Sequence, residues 1–161
     1  MKGWATFSDC ETYRYNLGRE WDRSLGRVCF CLLNPSTADA NVLDPTLTRC
    51  LGYAKRWGFG RMDVVNVFAL RSTDPKGLRE IDDPIGPDND SAIVKCAKAA
   101  DLVVVGWGTH GSLQDRHDAA LDLLAPFDPH CWGLTKHGYP KHPLYLRADL
   151  DPIALGVASG C

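Results

Sequence analysis

Runs of apolar and polar positions divide the chain into alternating strand and helix patterns. Val28-Cys-Phe-Cys-Leu-Leu33 is apolar throughout and stops at Asn34-Pro35, as expected of a strand covered on both faces. Asp44-Pro45 reads as a helix start, with Asp as the cap and Pro at the first helical position. Leu47, Cys50, Leu51, Ala54 and Trp57 then recur on one helical face, and Gly58 or Gly60 ends the helix. Asp63–Leu70 reads as a second strand. Residues 71–90, with Asp74-Pro75 and Asp83-Pro84-Ile-Gly-Pro87, read as a long ordered loop or a loop with one helical turn. Asp88 caps a helix through Ala100 whose inner face carries Ile93, Val94 and Ala97. Asp101–Gly106 is a third strand. Residues 113–125 form an amphipathic helix with Leu113, His117, Ala120, Leu121 and Leu124 in register, and Cys131–Thr135 is a short fourth strand. Upstream, Tyr13–Trp21 alternates about Asn16 to Gly18 as a β-hairpin at the sheet edge.

This order predicts a single α/β domain over residues 1–161, with a mainly parallel four-stranded sheet and an N-terminal hairpin. A length of 161 residues suits one domain. Eighteen Lys and Arg stand against 20 Asp and Glu, a formal charge of -2, so any contact with nucleic acid rests on a local patch. No run reaches the roughly 18 apolar residues that span a bilayer, and Met1–Cys10 lacks the features of a secretory signal. The seven cysteines are an odd number and mostly fall in apolar patterns, so reduced thiols and a cytoplasmic location are expected. Cys29-x-Cys31 has no second pair at ligand spacing, and packing outweighs zinc as its reading. No membrane partner is expected, and the pattern sets no oligomeric state.

Ligands of open α/β sheets bind beyond the C-terminal ends of the strands. The segments there are Asn34-Pro35-Ser36-Thr37, Asn66 with Phe68 and Arg71, Trp107 with His110, and the stretch from Lys136 to Arg147. Each has a plain alternative. Asn34-Pro35 also makes an ordinary turn, and Asn66 either satisfies backbone groups nearby or faces a ligand. Trp107 is a core or lid aromatic or else a stacking platform, and His110 is a solvated loop residue or part of a site. His117 reads as packed and His130 as surface. Residues 130–148 hold Lys136, Lys141 and Arg147 with His137 and His142, interleaved with Tyr139 and Tyr145, and no carboxylate, which suits either a solvated loop or a phosphate footprint. Walker, dinucleotide and nucleophile-elbow motifs are missing, so no cofactor and no metal are expected.

The run Leu33–Asp39, with Asp44-Pro45-Thr46, Arg49, Trp57-Gly58, Val65–Arg71, Asp74-Pro75, Trp107-Gly108 and His142-Pro143-Leu144-Tyr145, resembles the bacterial family called domain of unknown function 1643 over about residues 8–147. More distantly the layout resembles the uracil-DNA glycosylase superfamily. That resemblance implies a three-layer α/β/α fold and an N-glycosidic hydrolase acting on a modified or damaged base in nucleic acid or nucleotide. It implies that Asn34 positions the attacking water and Asn66 reads the edge of a flipped base, as extrahelical recognition requires. His142 would donate to the base carbonyl. Pro35, Ser36, Thr37, Phe68, Arg71, Trp107, His110 and Tyr145 would complete the substrate site, with Lys136, Lys141 and Arg147 on phosphates. The pattern departs in three places: Asn34 and Ser36 supply no carboxylate where the uracil-specific branch has an Asp in the first motif, Leu144 follows His-Pro where the superfamily usually has Ser, and the four-cysteine iron–sulfur pattern of some branches is missing. A non-catalytic nucleobase- or nucleotide-binding protein and an unrelated small-molecule enzyme are the competing readings of the same pocket.

Overall fold

The computed structural model describes residues 1–159; Cys161, read above as a reduced thiol, lies outside the described residues. The strands in chain order are β1 (Lys2–Phe7), β2 (Arg14–Glu20), β3 (Arg27–Leu32), β4 (Arg61–Asn66), β5 (Leu102–Val105), β6 (His130–Cys131) and β7 (Ile153–Ala154). The helices are α1 (Pro45–Arg56), α2 (Asn89–Ala99), α3 (Arg116–Leu124) and α4 (Leu155–Ser159). The seven strands form one sheet in the order β1-β2-β4-β3-β5-β6-β7. β4, β3, β5 and β6 pair in parallel, whereas β1 with β2, β2 with β4, and β6 with β7 pair antiparallel. The fold is therefore mixed α/β, which corrects the expected mainly parallel four-stranded sheet.

The correction has local causes. The stretch expected to fold back on itself about Asn16 to Gly18 is one continuous strand, β2. Its partner β1 lies upstream, and the chain reverses between Ser8 and Tyr13, where the Ser8 amide donates to the Tyr13 carbonyl at 3.0 Å. Gly18 serves close approach rather than turning, since a Cβ there would fall 2.2 Å from the Trp4 indole. β4 ends at Asn66 instead of Leu70 and begins at Arg61. β6 is only two residues long. The third long helix begins at Arg116, because Gln114 and Asp115 both adopt left-handed backbone (φ 52° and 55°) after a 3-10 segment.

α1 forms as its sequence predicts, and α2 spans the expected stretch, although Asp88 makes no side-chain cap hydrogen bond there. Asp44 caps α1, its carboxylate accepting from the Leu47 amide at 2.9 Å. Gly58, with φ 88°, is the left-handed residue just past its end. The period-two alternation of β3 splits the core between the sheet's two faces. Val28, Phe30 and Leu32 pack with Leu47, Cys50, Tyr53 and Ala54 of α1 and with Trp132. Cys29 and Cys31 pack with Ile93, Cys96 and Ala97 of α2 and with Ala120 and Leu124 of α3. Burial pushes the thiols of Cys29 and Cys31 up, so both stay protonated and behave as small hydrophobes. Phe30 and Trp132 stack at 5.7 Å and 4°, a pairing of about 0.5–1.5 kcal/mol beyond area burial. Among the described residues no helix is long and apolar enough to cross a membrane.

Candidate functional site

Beyond the C-terminal ends of β3, β4 and β5 lies a cavity of about 690 Å³, within the range of small-ligand sites. The loop after β3 contributes Leu33, Asn34, Ser36 and Thr37, and the start of α1 contributes Asp44, Pro45 and Thr46. Trp107, Gly108, Thr109 and His110 follow β5, and Thr135, Lys141, His142, Leu144 and Leu146 form the last wall. The Gly108 amide donates to the Pro140 carbonyl at 2.8 Å, which ties two of these walls together.

Asn34 is oriented by its surroundings. Its amide nitrogen Nδ2 donates to the carbonyls of Pro35 (3.0 Å) and Ser72 (2.8 Å). Two carbonyl acceptors fix which end of the carboxamide is nitrogen, leaving Oδ1 as the acceptor available to a ligand. His142 is oriented as well. Burial lowers its pKa, with Asp44 pulling the other way, so the imidazole is neutral at pH 7. The Leu144 amide donates to Nδ1 at 3.3 Å, which places the ring proton on Nε2 and makes that nitrogen a donor. The site thus pairs a fixed acceptor with a neutral donor.

Asp44 is the group that sequence reasoning missed. Its cap role accounted for it locally, yet it lines the same cavity as Asn34 and His142 and acts electrostatically on His142. The signal was available, since Asp44-Pro45-Thr46 belongs to the motif set above.

Trp107 is 1 % exposed, and its indole N–H donates to His117 Nδ1 at 3.0 Å. His117 in turn meets Tyr139 edge-on at 4.8 Å, and burial lowers its pKa. His117 is therefore packed, holding the Trp107 wall in place. His130, expected on the surface, is half-buried in β6, its ring Nδ1 2.9 Å from the Asp128 carbonyl.

The structure brings Asn34, Ser36, Thr37, Trp107, His110, Lys141 and His142 to one cavity, and leaves the other expected site residues off its lining. Asn66 is 3 % exposed, and its Oδ1 accepts from Arg14 Nη2 at 3.4 Å. Arg14 also donates to the Ala38 carbonyl at 3.2 Å, so this pair braces the loop between Asn34 and Asp44 from beneath. Burial lowers the Arg14 pKa to about 10. Phe68 belongs to the core between the sheet, α2 and α3. Pro35 contributes its carbonyl to Asn34. Arg71 lies 4.8 Å over the Phe7 ring and donates to the Glu11 carbonyl. Lys136 is exposed, and Arg147 pairs with Asp149 at 2.8 Å. Tyr145 is 90 % exposed with φ 72°.

No curated protein and no solved structure matches the chain. Residues 14–144 match the family described as protein of unknown function (DUF1643), and the chain belongs to that family.

Proposed function

We propose that the strand-end cavity hydrolyses an N-glycosidic bond in a nucleotide or nucleic acid, on a three-layer scaffold of the uracil-DNA glycosylase kind. The observation that carries this reading is the convergence of Asn34, Asp44 and His142 on one cavity lined by Trp107 and Lys141. Cleavage of such a bond leaves negative charge on the departing base and positive charge on the sugar. His142 Nε2–H donates to the base oxygen as charge develops there, and a well-aimed donor of this kind is worth about 3–4 kcal/mol. Asn34 Oδ1 holds the attacking water. The Asp44 carboxylate stabilises the oxocarbenium-like sugar and takes the water proton. Lys141, exposed at the rim, holds a phosphate. Tyr145, exposed beside Leu144 of the cavity wall, offers a face for a neighbouring base, a contact worth about 1–3 kcal/mol.

Base release from modified-base oligonucleotides and free nucleotides, followed chromatographically, tests the reading. Turnover is expected for the unmodified chain, with losses of about 10²–10⁴-fold in Asp44→Asn and His142→Gln. Loss of turnover with retained binding in Asn34→Ala is the expected pattern for a residue that positions water. The reading falls if no substrate in either group releases base. Sequestration of Asn66 favours one second reading, a small-molecule hydrolase that uses the same three groups without reading a base edge. Cleavage of a non-nucleoside glycoside or ester, inhibited by Asp44→Asn, would select it.

A further inference from the structure

A second recess of about 300 Å³ lies where β3 and β4 begin, between the sheet and α2. Arg27 opens β3 and Leu32 closes it, so the recess sits about 17 Å along the strand from the strand-end cavity. It is lined by Thr6, Asn16, Arg27, Arg61, Asp63 and Lys95, among others. Small side chains on the helix, Ala92 and Ala99, leave it open.

Three cationic side chains here face one carboxylate, and the carboxylate is fully engaged. Asp63 accepts from Arg61 through both oxygens (3.0 and 3.1 Å) and from Arg27 Nη2 at 3.3 Å. Arg61 is locked from its other side, stacked 4.5 Å over the Trp4 ring, which itself lies against Gly18. Asp101, just before β5, accepts from the Arg27 main-chain amide at 2.8 Å. Arg27 shares the single charge of Asp63 with Arg61, and the exposed Lys95 side chain makes no hydrogen bond or ion pair among the described residues, so the recess is left with net positive charge. Two polar atoms of residues that line this recess are buried and unpartnered, Arg27 Nε and Asn16 Oδ1. A ligand that satisfies both offers an acceptor to the guanidinium and a donor to the carboxamide oxygen. A partly protonated phosphate has both.

We propose that this recess is a binding site for a phosphate group, free or as the terminal phosphomonoester of a small metabolite. Arg27 and Lys95 hold its charged oxygens, Asn16 accepts from its P–OH, and Arg61 with Asp63 keeps Arg27 in place. The site is separate from the strand-end cavity, so its test is independent of the glycosidic reading.

Calorimetric titration of the full chain with inorganic phosphate, and separately with glycerol phosphate, against chloride at matched ionic strength, tests it. Saturable binding with Kd on the order of 1 mM or tighter is expected. Lys95→Met and Arg27→Met should each weaken binding at least about tenfold, since each removes a charge-assisted hydrogen bond. Lys55→Met, on α1 against the opposite face of the sheet, should leave it unchanged. Lys95 is exposed on α2, so its variant tests binding without disturbing the core. Tighter binding of glycerol phosphate identifies a phosphomonoester ligand, and tighter binding of inorganic phosphate identifies the free anion. The proposal is overturned if neither saturates, or if both Lys95→Met and Arg27→Met bind like the unmodified chain.

Discussion

His117 shows how one protonation state can hold a site wall. Its Nδ1 accepts from Trp107, so a proton added there would set two donors against each other across 3.0 Å. Burial already holds its pKa below the ordinary 6.5. A group depressed in this way stabilises the fold above 6.5, and that contribution is lost as pH falls toward the folded value, because the unfolded chain then binds more protons. His142 is depressed for the same first reason and adds in the same direction. The urea midpoint is expected to drop between about pH 7 and pH 5, and less steeply in His117→Asn, whose side-chain oxygen keeps an acceptor for Trp107 without titrating in that range. Equal slopes in the two proteins would show that the imidazole is not the titrating brace. Asn66 teaches the complementary lesson. A buried amide in a Val-rich strand must find a partner, but its partner Arg14 lies 52 residues away, and nothing in local spacing distinguishes that outcome from a ligand contact.

At the scale of elements, α1 does two jobs through Asp44. As a cap, its carboxylate satisfies the Leu47 amide, and as a wall it brings a negative charge to the cavity. The two roles separate by substitution. Asp44→Ala should cost about 1 kcal/mol in unfolding free energy, whereas Asp44→Asn, an equally good cap, should cost a few tenths or less. If Asn destabilises as much as Ala, the charge and not the cap holds the helix. Both ends of α1 and the whole of β3 were legible because their signals are local: a cap, a proline, a 3,4 spacing, an unbroken apolar run. The hairpin was not. Gly18 looks like a turn residue, and only the Trp4 indole lying over it shows that glycine was needed for approach. β7 was hidden too, since a two-residue strand has no periodicity to read.

Across the whole molecule, the wall that carries His142 is fastened to the helix that carries Asp44. The Tyr53 hydroxyl donates to the Arg147 carbonyl, and Arg56 donates to the carbonyls of Ala148 and Leu150 and pairs with Asp151. Trp57 Nε1 donates to the Leu150 carbonyl at 3.0 Å. Trp57→Phe removes one donor and keeps an aromatic ring, a loss of about 0.5–1.5 kcal/mol for a net hydrogen bond. Faster amide exchange is expected at Leu144 and Leu146, with α2 and α3 unchanged; uniform acceleration would mean that the bond supports the global fold instead.

Apart from the exposed Arg56–Asp151 pair, the side-chain hydrogen bonds in that fastening end on peptide oxygens, a feature that all twenty residue types share. The strap can therefore drift in sequence at positions 147, 148 and 150 without releasing the imidazole, while Tyr53, Arg56 and Trp57 cannot be exchanged so freely. Inheritance in this part of the chain should weigh on the gripping helix and leave the gripped segment free to vary.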